Sequence, residues 1–319
     1  MSEPLDLVYT WVDDSFSGYL DQLNRYVTDK RDPNPNRTRD NLDIIRYSLR
    51  SVARNLPGIR KIYLLTCRPQ VPVWLNTEHP KIEVVHHDQI MHPAILPTYN
   101  SFAIVSHLHL IPGLSQRFLY FEDDMLAMSP RLPKAMFAPD GRPLVHLDRR
   151  WVAPLSKLGR KTSSPWNLSL ANADAALARR FGPGLRRHII HGPQLMQVEV
   201  ARAMCDDYPD LIAATRASRF RGADNVACEF LAQHLAIETG AAVQAGDRAS
   251  ARMQGYVSLE NLAPWTWVQL WRVLRRQPLS VTLNDSFGDT PNPRVEAMVR
   301  AQLDRWFPEA CAYERDATT

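Results

Sequence analysis

The stretch Phe118-Leu119-Tyr120-Phe121, followed at once by Glu122-Asp123-Asp124, constrains this chain more than any other. Four large apolar or aromatic residues in a row read as a short strand buried on both faces, the kind found in a parallel sheet covered by helices. Three carboxylates arrive where that strand ends. In an open α/β sheet, ligands bind in the crevice beyond the carboxyl ends of the strands. Like charges repel, so a fold that gathers three of them usually holds a cation there. Hard carboxylate oxygens suit Mg²⁺ or Mn²⁺. The same residues also suit the start of a solvated loop, and this stretch alone does not choose between the two.

The chain around it repeats the pattern. Residues 5–12 read as a first strand ending in Asp13-Asp14, and 29–40, rich in Pro and Asn, as a loop. Leu42, Ile45, Leu49, Val52 and Leu56 recur at spacings of three and four and predict a helix. Arg46 and Arg50 sit a turn apart off its apolar stripe, placed to pair with surface acids or to reach a phosphate. Pro57-Gly58 closes the helix, and 61–66 and 81–86 read as further strands. His107 and His109 are two residues apart on the next helix, so they do not share a face and make a poor metal pair.

This alternation predicts an α/β fold with a Rossmann-like, mostly parallel sheet. Residues 1–150 are expected to form the first part of the catalytic core. Residues 151–276 are expected as a helix-rich insertion or lid, and 277–319 as a strand and helix completing the core. The segment 264–276 is an amphipathic, basic helix with three tryptophans. Packing inside the protein is its first reading and contact with a membrane surface its second. Three predicted strands thus end in oxygen ligands: Asp13-Asp14, Glu122-Asp123-Asp124 and Asn284-Asp285. Parallel strands would deliver all three to one edge. His191 and Arg221 add a candidate base and a phosphate clamp, although a lone histidine is more often structural.

Bulk properties narrow the class. The 319 residues are 45% hydrophobic and 23% charged, as in ordinary globular proteins with a real core. A formal charge of +4 favours anionic ligands, but no zinc-finger spacing or nucleic-acid signature accompanies it. Four scattered cysteines form no Cys-x-x-Cys pair, which argues against a zinc site or a disulfide framework. No apolar run approaches the ~20 residues of a membrane span. The N-terminal Met-Ser-Glu-Pro-Leu-Asp lacks the features of a signal peptide. The expected location is the cytoplasm, with peripheral membrane contact as a variant.

These motifs resemble the four conserved blocks of the Stealth family of sugar-phosphate transferases, in order and over nearly the whole chain. Asp6 to Asp13 resembles the first block. The second runs from Arg39-Asp40-Asn41 through Arg46-Tyr47-Ser48-Leu49-Arg50-Ser51 to Phe121-Glu122-Asp123-Asp124-Met125. The third lies around His191-Gly192-Pro193 and Phe220-Arg221 to Asp224, and the fourth is Val281-Thr282-Leu283-Asn284-Asp285. Glu122 departs from the family's usual Asn, Asp14 from Gly, Val105 from Glu and Gln194 from His.

The resemblance implies transfer of a hexose-1-phosphate from a nucleotide-sugar, with a UDP-sugar favoured, to a saccharide hydroxyl. Nucleoside monophosphate would be released. It further implies Mg²⁺ or Mn²⁺ held by Asp123, Asp124, Asn284 and Asp285, and Arg221, helped by Arg46, as a phosphate clamp. His191, or one of Asp123 and Asp124, would take the hydroxyl proton. Tyr9, Trp11, Asp13, Asn41 and Arg46 would contact the donor, with Trp11 equally suited to the core. A metal-dependent glycosyltransferase and a non-catalytic sugar-binding subunit are the competing readings, and a homo-oligomer is compatible with each.

Overall fold

Two-residue alternation builds the centre of the molecule. In the computed structural model, which describes residues 4–27, 42–287 and 291–315, strands β1 (Leu5–Thr10), β2 (Ile62–Thr66), β3 (Ile82–His86) and β4 (Arg117–Glu122) lie parallel in the order β3-β2-β1-β4. Val8, Phe118 and Tyr120 belong to one hydrophobic layer, and Leu7, Tyr9, Leu119 and Phe121 to the layer on the opposite face. Burial on both faces explains the continuous apolar runs. The α/β, mostly parallel architecture is the one the sequence predicts.

The remaining strands are β5 (Met125–Ala127), β6 (Leu144–Val145), β7 (Leu147–Trp151), β8 (Arg187–Ile189), β9 (Gln194–Gln197), β10 (Val243–Gln244), β11 (Gln254–Leu259) and β12 (Ser280–Asp285). β9 runs antiparallel beside β4 and closes that edge of the central sheet. Residues 151–276, expected as an insertion or lid, therefore supply a core strand. Their helices Pro165–Phe181 and Cys228–Glu238 pack in the same hydrophobic layer as Val8 and Phe118.

One expectation needs correction. β12 does not lie on the central sheet. It forms a separate three-stranded sheet in the order β11-β12-β5, parallel to β11 and antiparallel to β5. The carboxylates still meet, because the chain leaves β4 through Asp123-Asp124 and enters β5 directly. Thr282 pairs with Met125, so the end of β12 runs alongside the acidic turn, and Leu283 N–H donates to the Asp124 carbonyl at 2.9 Å.

Helix Ile44–Asn55 secures this junction. Ile45, Leu49 and Val52 are buried as their spacing predicts. Ser48, Ser51 and Asn55, at helical spacing on the same element, turn to the open edge of β5. Ser51 Oγ accepts from Ala127 N–H at 2.8 Å, Asn55 Nδ2 donates to the Ala127 carbonyl at 2.7 Å, and Ser48 Oγ donates to the Met125 carbonyl. A buried strand edge without partners would leave these backbone groups orphaned, at about 1–3 kcal/mol each.

The same helix anchors the C-terminal residues. Arg50 bonds both Glu314 oxygens, at 2.7 and 2.8 Å, and Arg46 Nε donates to Glu314 at 2.5 Å. The Glu314 side chain is only 1% exposed. Burial pushes its carboxyl up, but the two guanidinium groups outweigh that and bring it down to about 2. Its folded value lies below the usual 4.5, so its contribution is complete above about pH 4.5 and is lost as pH falls toward 2. Glu314→Gln is expected to cost about 2–3 kcal/mol at pH 7, near the low end for breaking a buried pair because Arg46 stays partly solvated. In denaturant titrations its gap to the native protein should close between about pH 5 and 2. A gap that stays constant with pH would show that the carboxylate charge is not what binds this end.

Candidate functional site

Glu122 ends β4, Asp124 sits two residues on, and His191 follows β8. One ligand atom from each lies within 4.8 Å of the others. His191 Nε2 is 3.3 Å from Glu122 Oε2 and 3.7 Å from Asp124 Oδ2. Asp124 Oδ1 and His191 Nε2 are buried with no hydrogen-bond partner. His191 is positioned through its backbone: its carbonyl accepts from Thr282 Oγ1 at 2.6 Å and from Gln254 Nε2. Both donors come from the second sheet. The ring lies 5.9 Å from that of Tyr256.

Electrostatics follow from crowding. Burial raises the Asp124 carboxyl, the Glu122 and Asp285 charges add to it, and His191 opposes them, leaving it at about 6. Burial would lower His191, but Glu122, Asp124 and Glu229 overcome it and raise the imidazole to about 9. Burial raises Glu122 too, yet the adjacent His191 and Arg221 charges bring it below the ordinary carboxylate value. Glu229, in the first turn of helix Cys228–Glu238, is 6% exposed and its Oε2 has no hydrogen-bond partner. Burial and the Glu122 charge lift it to about 7, against Arg221 and His191. Arg221 faces the same cluster while its Nε and Nη2 donate to Ser101 Oγ at 3.1 and 2.7 Å and its guanidinium covers the Phe102 ring.

The predicted residues divide accordingly. Asp124, His191 and Arg221 come together. Asp285 ends β12 within electrostatic reach of Asp124 and accepts from Phe287 N–H at 2.9 Å. Asn284 turns its amide to the Asp285 carbonyl and to Ser286. Asp123 occupies the turn but is not among the three converging ligands. Burial corrects Tyr9 and Trp11, and ion pairing engages Arg46. Tyr9 is fully buried, with its hydroxyl 2.6 Å from Ser48, and Trp11 is 5% exposed in the core, so neither ring has a face for a nucleotide. Asp13 accepts from Ser15 N–H and Oγ and shapes its own turn. Arg46 is engaged by Glu314 and Asp43. Asn41 lies outside the described residues.

The carboxylates on either side of His191 favour its protonated form in the absence of a metal ion. Glu122 and Glu229 face the same cluster, and motif reasoning did not single out either as a site residue. Glu122 was visible as part of the acid run. Glu229 belongs to no motif, and only the packing of its helix brings it here.

The family description Stealth protein CR2, conserved region 2, matches residues 37–145, and Stealth protein CR3, conserved region 3, matches residues 190–238. Between them they contain every member of the three-residue cluster. The chain carries conserved regions 2 and 3 of the Stealth family. It is 35% identical over 98% of its length to an exopolysaccharide phosphotransferase of Streptomyces coelicolor, covering 52% of that protein. It is 29% identical over 98% of its length to the capsular polysaccharide phosphotransferase SacB of Neisseria meningitidis serogroup A, covering 57%. This Stealth chain thus spans about half the length of the curated relatives it matches. Among solved structures it is similar to galactosyltransferase LgtC in complex with donor and acceptor sugar analogs, with 10% identity, a TM-score of 0.45, and coverage of 97% of this chain and 98% of that one.

Two carboxylates and an imidazole with orphaned buried atoms form a donor set that fits a divalent cation. Asp124→Asn should weaken Mn²⁺ binding by at least about 100-fold, more than changes behind a ligand shell usually cost. Calorimetric titration of the native and variant proteins checks it, with circular dichroism as the control for folding. Equal Mn²⁺ affinity in the two proteins would remove Asp124 from the ligand set.

Proposed function

We propose that this Stealth chain transfers a hexose-1-phosphate from a nucleotide-sugar, a UDP-sugar by preference, to a hydroxyl of a saccharide acceptor. The observation that carries it is the meeting of Glu122, Asp124 and His191 with Arg221 and Glu229 beyond the end of β4. This is a divalent-metal donor set beside an arginine and a carboxyl that titrates near neutrality. The named activities of the relatives support the same reading.

In this reaction the acceptor oxygen forms a bond to the β-phosphorus and the anhydride bond to the α-phosphate breaks. Nucleoside monophosphate departs with the electron pair. Catalysis of phosphoryl transfer is mainly positioning and charge stabilisation. Glu122, Asp124 and His191 would hold the cation. Mn²⁺ suits a set that includes imidazole better than Mg²⁺ does, and when bound it neutralises diphosphate oxygens. Arg221, steadied by Ser101, supplies a second cation for the transferred phosphoryl oxygens. Glu229 is the carboxyl that takes the acceptor proton, since its Oε2 is unengaged and its affinity for a proton is matched to neutral pH.

Chromatography of spent donor tests the reaction. Incubating UDP-sugars with Mn²⁺ should release UMP, with the sugar still joined to phosphate. In the same assay Glu229→Gln should lower turnover about 10²-fold or more. UDP as the sole product would make the chain a glycosyltransferase, and donor binding without any turnover would make it a sugar-binding subunit.

A membrane surface is the second partner we propose. Among the described residues no helix is long and apolar enough to cross a membrane. Helix Ala263–Arg276 buries Thr266, Gln269, Leu270 and Val273 against the protein. It carries a second apolar stripe, Trp267, Trp271 and Leu274, on its outer side, where they are 58%, 43% and 47% exposed. Arg272 and Arg275 lie over Trp265 and Trp271, and the helix contains no acid. Tryptophan with arginine on one exposed face fits the headgroup region of an anionic bilayer. An isologous contact between two copies would instead oppose like charges. Cosedimentation with phosphatidylglycerol vesicles should fall at least about fivefold in the double variant Trp267→Ala, Trp271→Ala, a loss of ~1 kcal/mol. Equal sedimentation of both proteins would discard the membrane reading.

A further inference from the structure

Arg221 stands on a segment without regular structure. Residues 218–227 connect helix Pro209–Ala217 to helix Cys228–Glu238. Such connections ordinarily run over the surface and stay mobile. This one is held by buried amides. Asn225 is 0% exposed: its Oδ1 accepts from Gly222 N–H at 2.8 Å and from Asn100 Nδ2 at 2.9 Å, and its Nδ2 donates to Ser218 Oγ at 2.9 Å. From the other side, Asn172 of helix Pro165–Phe181 donates to the Ala223 and Asn225 carbonyls at 2.8 and 2.9 Å. Val226 N–H then donates to Thr215 Oγ1 at 3.0 Å, which ties the segment back to the helix before it.

The residue that meets Asn225 also prepares the arginine's resting place. Asn100 is the N-cap of helix Ser101–Val105 and is buried as completely as Asn225. Its Oδ1 accepts from Phe102 N–H at 3.1 Å, while its Nδ2 reaches Asn225 Oδ1 and the Ser218 carbonyl, the latter at 3.0 Å. The next two residues take the guanidinium: Ser101 Oγ accepts from Nε and Nη2, and the Phe102 ring lies beneath it at 5.0 Å. Nη1 makes no hydrogen bond among the described residues, so one end of the fork faces outward with its donors. Upstream, the same two segments are joined again. Tyr99 N–H donates to the Arg219 carbonyl at 2.8 Å, and the Tyr99 ring stacks on Phe220 at 5.1 Å.

Arg221 is thus held twice, its backbone by the Asn225 turn and its guanidinium by the first turn of helix Ser101–Val105. The single bond between Asn100 and Asn225 joins the two holders. Buried amides are costly unless bonded, and a network whose members are bonded fixes one geometry. A long charged side chain that a ligand must order loses rotamer freedom on binding; one already ordered does not. We infer that Asn225, through its bond to Asn100, is a positioning residue that sets Arg221 against a diphosphate before the ligand arrives. The inference rests on the reading of Arg221 as the phosphate clamp. It predicts that the asparagine acts on phosphate only through the arginine.

A double-mutant cycle on binding tests this. Pyrophosphate with Mn²⁺ is titrated calorimetrically into the native protein, Asn225→Ala, Arg221→Ala and the double variant. Arg221→Ala should lower affinity about 30-fold, as loss of a charge-assisted contact does. Asn225→Ala should lower it about tenfold, the equivalent of ~1.4 kcal/mol. In the Arg221→Ala background the same substitution should cost less than about twofold, because no guanidinium remains to be placed. An equal loss in both backgrounds would make Asn225 a residue of the fold alone and overturn the inference. So would no loss at all, or a native affinity no higher than that of Arg221→Ala. Asn225→Ala orphans buried groups, so Asn172→Ala, at a partly exposed position, is run beside it with circular dichroism on every variant. Its loss should be about threefold and should likewise vanish without Arg221; a loss that persists there overturns the inference even where Asn225→Ala does not fold. The proposed reaction stands or falls separately. Spent UDP-sugar that yields UDP in place of UMP would refute that transfer, while the pyrophosphate cycle still decides what Asn225 does.

Discussion

Three side chains on one helix hold the acidic turn at the junction of the central sheet and the β11-β12-β5 sheet. Ser48, Ser51 and Asn55 satisfy the carbonyls of Met125 and Ala127 and the N–H of Ala127, so the short strand after the acidic turn is closed on both edges. The turn itself is thereby clamped, with Glu122 fixed by the central sheet and Met125 by the helix and β12. The two intervening aspartates have little freedom to spread apart. Repulsion that would open a free loop is met by backbone hydrogen bonds, by a histidine and by an arginine. The carboxylates are close because the architecture gives them nowhere else to go.

That confinement sets the character of the site. Carboxyls kept from water and from each other's charge rise toward neutrality, as Asp124 and Glu229 do, while the basic group among them rises above it. The carboxyl groups of Glu122, Asp124, Glu229 and Asp285 outnumber the cationic groups of His191 and Arg221 among them. A divalent cation answers that excess, and its arrival would displace the His191 proton, since a ligating imidazole must be neutral. One set of residues thus defines both the fit to a divalent cation and the state of the groups around it.

Much of this was legible in the chain. The apolar runs at 5–12 and 118–121 specify doubly buried strands, and two of the acids after the second run, Glu122 and Asp124, stand in the cluster with His191. The stripe from Leu42 to Leu56 specifies its helix. What the sequence could not express was which sheet a strand joins. The run at 281–283 reads like the others, yet it pairs with β5 and not β4, a choice made by the register across the acidic turn. Burial was the second blind spot. Tyr9 and Trp11 carry groups that bind nucleotides as readily as they fill cores, and only the layer above them shows which. Glu229 has no flanking pattern, because its meaning depends on a helix brought in from a hundred residues downstream of the turn.

The two bonds on the His191 carbonyl carry a consequence for how the protein comes into being. Thr282 and Gln254 are supplied by β12 and β11, strands that follow both the acidic turn and His191 in the sequence. Until they dock, the histidine has no fixed place opposite Glu122 and Asp124, however well the central sheet has formed. During synthesis the acidic turn emerges long before its partners, and a half-built site holds two carboxylates without the geometry to retain a transition metal. Assembly of the cluster is thus coupled to the docking of β11 and β12. A chain in which these two strands have not docked would lack the three-ligand geometry that a divalent cation needs.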